Sequence, residues 1–339
     1  LQIERGGSID GDLTGAGTAT LLTGTFTVDA DATVSVTSLF LSGTTTFNLG
    51  GAGFTSTNLT LSGGTSHSFN GAKVTVPNLT QLGSTLQGSA DIEVAGQLTW
   101  SGGVMDGSGK TIVPDGATAS LGGGVLTLNR DFDNAGALSW FGQSHIFGSN
   151  STFTNLPTGT VTIAADTNYT FGNTSTMTFA NQGTVTQTSG KVNKIGAVFN
   201  QTSAGSTEVQ SGTLQIERGG SIDGDLTGAG TASFTNGTFT FSGVDIDMGT
   251  MRFAGASTDL NGANSVTVGD LIHTAGTLTL GDAKVVVERD MTRTGGTLIA
   301  GTSKVVFDGQ TDQNLDLTVD TGFHALKVTG GTTLIEVQG

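Results

Sequence analysis

Apolar and polar residues alternate in short bursts along the whole chain. Residues 19–28, 34–41, 57–61, 73–76, 92–100, 118–121, 125–128, 160–163, 184–188, 277–280, 284–287 and 304–307 each run for four to ten positions with a period of two. That period predicts β-strands with one face turned inward. Between them lie Gly-Gly, Asp-Gly, Asn-Gly and Ser-Gly pairs, the residues that accept the backbone angles of tight turns. Pro77, Pro114 and Pro157 stand at segment ends, where a missing N–H costs least.

The spacing of recurring phrases selects the β architecture. AGQLTW at 95–100 returns as AGALSW at 135–140, with DGATASL at 115–121 between them. Gly96, Gly116 and Gly136 fall twenty residues apart, and the series continues less regularly through Gly159, Gly183 and Gly205. A Phe-x-Asn marker runs in step: Phe132 with Asn134, Phe153 with Asn155, Phe179 with Asn181, and a shortened form at Phe199-Asn200. A period of about 20–26 residues holding several short strands predicts one coil of a parallel β-solenoid. The phenylalanines are expected to stack inside, and the asparagines to form an amide ladder from coil to coil. A β-sandwich would not need the same residue at the same phase of successive strands. Roughly sixteen coils at ~4.8 Å per strand would extend on the order of 75–80 Å.

A longer period overlies the short one. The nineteen residues LQIERGGSIDGDLTGAGTA occur at 1–19 and again, unchanged, at 214–232. The correspondence continues with decay, Thr25-Phe26-Thr27 matching Thr238-Phe239-Thr240. Two stretches follow: 1–213 as one long unit and 214–339 as part of a second, continuous with it. The chain ends Ile335-Glu336-Val337-Gln338-Gly339, and the internal copy is preceded by Glu208-Val209-Gln210-Ser211-Gly212-Thr213. Joining that C-terminus to a new N-terminus nearly recreates the internal junction. Leu1, Ile3, Leu214, Ile216, Val337 and Gly339 are the candidate junction residues, and the expected partner is the protein itself, head to tail or within a longer parent.

Composition agrees with an extended β object. Glycine supplies 55 of 339 residues, about twice the usual ~7% share, without the three-residue period of collagen. Charged residues make up 12%, so Thr, Ser, Asn and Gly must cover the surface. With only 13 Lys plus Arg and a net charge of −15, no basic cluster exists to hold phosphates, which argues against nucleic acid and anionic membrane surfaces as partners. Cysteine is absent, and no run of about 18 apolar residues provides a membrane-spanning helix. The chain starts at Leu1 without Met or a signal peptide, as expected of a mature product or of a segment of something longer.

These phrases resemble the large, repetitive, secreted proteins of bacterial surfaces, the filamentous-haemagglutinin-like and autotransporter-associated β-solenoids. The resemblance is carried by LTGAGTA (13–19), LTWSGGVMDGSGKTIV (98–113), LNRDFDNAGALSW (128–140), VQSGTLQIERGG (209–220), GTSKVVFDGQTDQ (301–313) and FHALKVTGG (323–331). It implies a right-handed solenoid outside the cell or on its surface, often in adhesion or a surface layer. It carries over no catalytic residues.

Little in the chain resembles a chemical site. Paired aspartates two apart, such as Asp10 with Asp12 and Asp223 with Asp225, could lend oxygens to Ca²⁺ if extended. The Ca²⁺-binding nonapeptide is absent, and the pairs miss the coil spacing, so solvated turn carboxylates are the better reading and no cofactor is expected. Asp106-Gly107-Ser108-Gly109-Lys110-Thr111 looks like the end of a P-loop, but Val104 replaces its first glycine and no helix follows. His67, His145, His273 and His324 lack a second ligand at metal spacing. Seven N-x-S/T sequons, headed by Asn58, Asn78, Asn150, Asn168, Asn173, Asn200 and Asn236, are expected from composition alone. The expected function is therefore structural and non-enzymatic: a stiff segment of a surface filament, sheath or stalk, with surface polysaccharide or other cells as further partners. The alternatives are an adhesin stalk with a binding tip, a pectin-degrading β-helix enzyme, and an ice-binding Thr-x-Thr face at Thr18/Thr20, Thr160/Thr162, Thr184/Thr186 and Thr277/Thr279.

Overall fold

The computed structural model is all-β, a parallel β-solenoid of about 16 turns with roughly 20 residues in each. It describes every residue except 52, 64–65, 143–144, 166–168, 175, 320, 330–334 and 339, and only the backbone of 335–338. By contacts the chain divides into two units: Leu1–Thr162 with Gly172–Met177, and Ile163–Phe171 with Thr178–Gly339. The repeat boundary at 213/214 lies inside the second.

In the first unit, period-two strands stack so that like faces like. Leu39, Leu59, Leu79, Leu98, Ala119 and Leu138 form one inward column. Leu41, Leu61, Gln81, Trp100, Leu121 and Trp140 form the next. None of these twelve side chains is more than 2% exposed. A one-residue slip would turn a whole strand inside out, so variation in coil length is confined to the turns. The outward positions of the same strands read Phe40, Thr60, Thr80, Thr99, Ser120 and Ser139, so that after Phe40 a chain with few charges presents hydroxyls to the surface.

The second unit repeats the scheme with longer strands. Asp245–Asp259 and Ser265–Thr279 each run 15 residues through three sheets, bending where their mutual register shifts between Phe253 and Ala254 and between Ala254 and Ser257. Bulges of this kind turn a strand without ending it. Two inward columns pass through the unit: Leu226, Ile246, Val266, Val285, Val305 and Leu326, beside Met248, Val268, Val287, Phe307 and Val328. All are at most 2% exposed except the last of each, Leu326 and Val328, which are 45% exposed.

The duplicated nineteen residues fold alike in both units. Gln2 pairs Thr20 and Ile3 pairs Leu21; 213 residues on, Gln215 pairs Ser233 and Ile216 pairs Phe234. Gly7, Ser8 and Ile9 face Phe26, Thr27 and Val28, as Gly220, Ser221 and Ile222 face Phe239, Thr240 and Phe241. The corner is also reproduced, with a register shift between Gly15 and Thr18 and another between Gly228 and Thr231.

Candidate functional site

The internal ladders are polar as well as aromatic. Phe132 stacks on Phe153 at 5.4 Å, and Phe179 lies 5.5 Å from Phe199 in a tilted pair. Asn134 is fully buried, and its Nδ2 donates to Asn155 Oδ1 at 2.9 Å and to the carbonyls of Gly136 and Thr160. Asn155 donates in turn to Gly159 O. These amides satisfy turn carbonyls that would otherwise be stranded in the core. Asn181 Nδ2 donates to Gln201 Oε1 at 2.9 Å, because Phe179 pairs Phe199 and Asn181 pairs Gln201. The marker's fourth form is therefore Phe-x-Gln, not the shortened Phe199-Asn200. Asn200 faces outward and accepts the Ser221 N–H. A second aromatic column, Phe26, Phe47 and Phe69 with Phe54 set edge-on, went unread in the sequence although its members recur 21 and 22 residues apart.

The two copies of the repeat differ in what lies against them. Leu214, Ile216, Ile222 and Leu226 are 1% exposed or less, resting on the strands Val192–Ile195, Val198–Gln201 and Ser206–Val209. Their counterparts are uncovered: Leu1 is 69% exposed, and Ile3, Ile9 and Leu13 are partly so. Of the C-terminal junction residues, Val337 belongs to the strand Ile335–Gln338, whose backbone pairs Gln313–Leu317. Gly339 lies outside the described residues.

These two aspartate pairs sit at bends, not in extended strands. Asp10 and Asp12 flank Gly11; Asp10 accepts the Ser8 hydroxyl, and Asp12 accepts the Thr33 N–H at 2.9 Å. Asp223 and Asp225 flank Gly224 in the same way, with the Asp225 backbone carbonyl accepting Gln201 Nε2. No three His, Cys, Asp or Glu side chains gather as a metal site among the described residues. Chelation with EDTA is accordingly expected to shift the melting temperature by less than about 1 °C, since a bound ion lost from the folded state would lower it by much more.

The P-loop-like turn has the opposite polarity to a phosphate cradle. Arg130, 2% exposed, sends Nη2 to Ala90 O and Lys110 O, both at 2.9 Å, and Nη1 to Asp106 O. The turn thus offers carbonyls to a cation, while the Lys110 N–H is taken by Asp91 and its ammonium by Asp133 at 3.0 Å. Burial pushes the Arg130 guanidinium down to about 10, against the pull of Asp91 and Asp106.

His145 stacks on Phe147, and His324 is exposed. The other two histidines are core residues. His67 Nε2 faces the Ser62 carbonyl, which can only accept, so Nε2 carries a proton; in the neutral ring Nδ1 then accepts from the Thr45 hydroxyl at 2.9 Å. Burial lowers the pKa of His67, opposed by the Ser62 bond; burial, followed by the charge of Arg293, lowers that of His273. With folded values below the ordinary ~6.5, these rings contribute full stability above that pH and lose it as pH falls toward the folded values. Unfolding free energy should therefore decline between about pH 7 and 5, by at most ~1.4 kcal/mol per pH unit per histidine. His67→Gln should flatten that decline in urea titrations; an unchanged slope would mean that the ring does not titrate on unfolding.

Three further cations are held by carboxylates: Lys73 by Glu93, Lys194 by Glu217, and Arg289 by Asp270 at 2.8 Å. Arg289 lies in a shallow groove of about 340 Å³ bordered by Asp247, Gly249, Gly269 and Glu288. No helix among the described residues is long and apolar enough to cross a membrane. Comparison with protein families, with curated proteins and with solved structures yields no match.

Proposed function

We propose that this chain is a non-enzymatic structural protein of the extracellular surface, a solenoid segment that serves as part of a filament, sheath or stalk. The observation that carries this reading is the duplicated segment laid down in one register in both units. Coils that rest only on their neighbours can be added without redesign, and duplication of a structural phrase lengthens a scaffold where it would not improve a catalyst. The resemblance to filamentous-haemagglutinin-like and autotransporter-associated solenoids supports the same reading and its surface location. An adhesin stalk with a binding tip is the nearest variant of it.

The rival readings lack support in the side chains. A pectin-degrading site needs Lys or Arg beside acidic groups on one face; Lys73, Lys110, Lys194 and Arg289 are instead paired with carboxylates, and Arg130 with carbonyls. An ice-binding face needs Thr stacked on Thr along successive coils, yet Thr18 and Thr20 face Ser38 and Phe40, Thr184 and Thr186 face Ser206 and Glu208, and although Thr277 faces Thr297, Thr279 faces Asp259 and Ile299. Incubation with uronic-acid polymers should release no reducing ends above the blank; sustained release would overturn the structural reading.

A further inference from the structure

We infer that the outward face of the sheet built from residues 38–42, 58–62, 78–82, 97–101, 118–122 and 137–141 is a lateral docking surface for the same face of a second copy of this chain. The inference rests on the structural reading above and names its partner and contact.

That face carries no charge. Beside the outward row from Phe40 to Ser139 runs a second row of Ser38, Asn58, Asn78, Gln97, Thr118 and Ala137. A third row begins Ser42, Ser62 and Leu82, and Phe141 takes the corresponding place after Ser139. Every Asp, Glu, Lys and Arg of residues 1–162 lies elsewhere. Lys73 with Glu93 and Lys110 with Asp133, for example, pair along a different sheet of the coil. The fold does not impose this, because the outward neighbours of the second unit's inward columns include Asp245, Asp247, Lys284, Lys304 and Lys327, all exposed.

Charge and spacing both favour a copy of the chain as the occupant. Chains of net charge −15 repel one another wherever their carboxylates meet, so they approach at least cost through a face that has none. Both copies also carry the same ~4.8 Å step from coil to coil, which lets the ridges of one sheet enter the grooves of the other along their whole length. The amides of the face are already partnered within it: Asn78 Nδ2 donates to Asn58 Oδ1 at 3.0 Å, and Asn58 Nδ2 donates to Thr37 O at 3.1 Å. That lowers the cost of taking them out of water. Leu82 and Phe141, 47% and 43% exposed, supply apolar anchors. Phe141 leans over Gly122, where an added Cβ would lie 2.9 Å from its Cζ, so the ring lies along the face. Thr18 and Thr20 extend two of the rows by one coil. Seven strands then span about 34 Å by about 16 Å. A pair would cover roughly 1,100 Å², just above the ~1,000 Å² expected of a specific contact.

Sedimentation equilibrium of the 339-residue chain tests this. The wild type should show a reversible monomer–dimer equilibrium. Thr99→Glu places an unpaired carboxylate at the centre of the face and should weaken the dimer about 100-fold or more. Leu82→Ala with Phe141→Ala removes the anchors and should weaken it about tenfold or more. Ser35→Glu adds the same charge to the outward side of a different sheet, beside Thr14, and should dimerise like the wild type. All three variants change surface positions, so their melting should match the wild type. A wild type that stays monomeric at its solubility limit would overturn the docking. Association that survives Thr99→Glu, as contact through any other surface would, overturns it equally. A monomeric wild type that sediments with an insoluble neutral polysaccharide, and loses that binding in Thr99→Glu, would give the face to a glycan instead. None of these results bears on the structural reading, which the reducing-end assay addresses separately.

Discussion

Leu214→Ala is expected to cost about 2–5 kcal/mol, the range for truncating a buried leucine, whereas Leu1→Ala should cost less than about 0.5 kcal/mol, as at other uncovered sites. The two residues open identical nineteen-residue sequences but differ in their cover. Leu214 is fully buried against the coil at 192–209, while Leu1 is 69% exposed. In a chain of stacked coils, loss at one interface weakens its neighbours before the whole, so amide hydrogen exchange over residues 192–234 is the most direct readout. Protection should fall there for Leu214→Ala and change little anywhere for Leu1→Ala at a dilution where chains are separate. Equal effects at the two positions would mean that burial by the preceding coil is not what stabilises the repeat.

Phe47→Ala should cost about 3–5 kcal/mol, at the upper end for single truncations. Its ring stacks between Phe26 at 5.3 Å and Phe69 at 5.2 Å and takes Phe54 edge-on at 5.9 Å. Removing it takes the centre from a four-ring cluster and leaves a cavity that the ladder on either side cannot close. Phe141→Ala is the matched control, since that ring is 43% exposed and its loss should fall within about 0.5 kcal/mol. Urea titration followed by circular dichroism compares the two; similar midpoints would contradict an aromatic column under load.

Much of this architecture is legible in the sequence because a solenoid writes its geometry twice. Period two along a strand names the inward residues, and a period near twenty names what they rest on. Phe132 and Phe153 with Asn134 and Asn155 could be read from spacing alone because flanking residues repeat with them. The Phe26, Phe47 and Phe69 column had the same spacing but different neighbours, TFTV, TFNL and SFNG, so no phrase advertised it. Gln201 was hidden beside Asn200, where only the strand register separates an inward amide from an outward one.

Arg130 was illegible for a different reason. A lone arginine in a polar stretch reads as solvated, and its burial depends on carbonyls contributed by residues 90, 106 and 110 in other turns. The sheet occupied by each phrase was equally hidden. In the second unit Gly220–Ile222 of the repeat shares a sheet with Phe199; in the first, Gly7–Ile9 belongs with Phe26, Phe47 and Phe69 and not with Phe132. Strand, turn and strand are encoded locally, whereas the choice among three similar sheets accumulates from the lengths of the intervening turns.

Immunogold electron microscopy of the native source tests the central claim, that this protein is a surface building material, most directly. Antibody against the 339-residue chain should label filaments, a sheath or stalks on the cell exterior, at intervals that recur along their length. Label confined to the cell interior, or to single particles free in the medium with none on the surface, would contradict it.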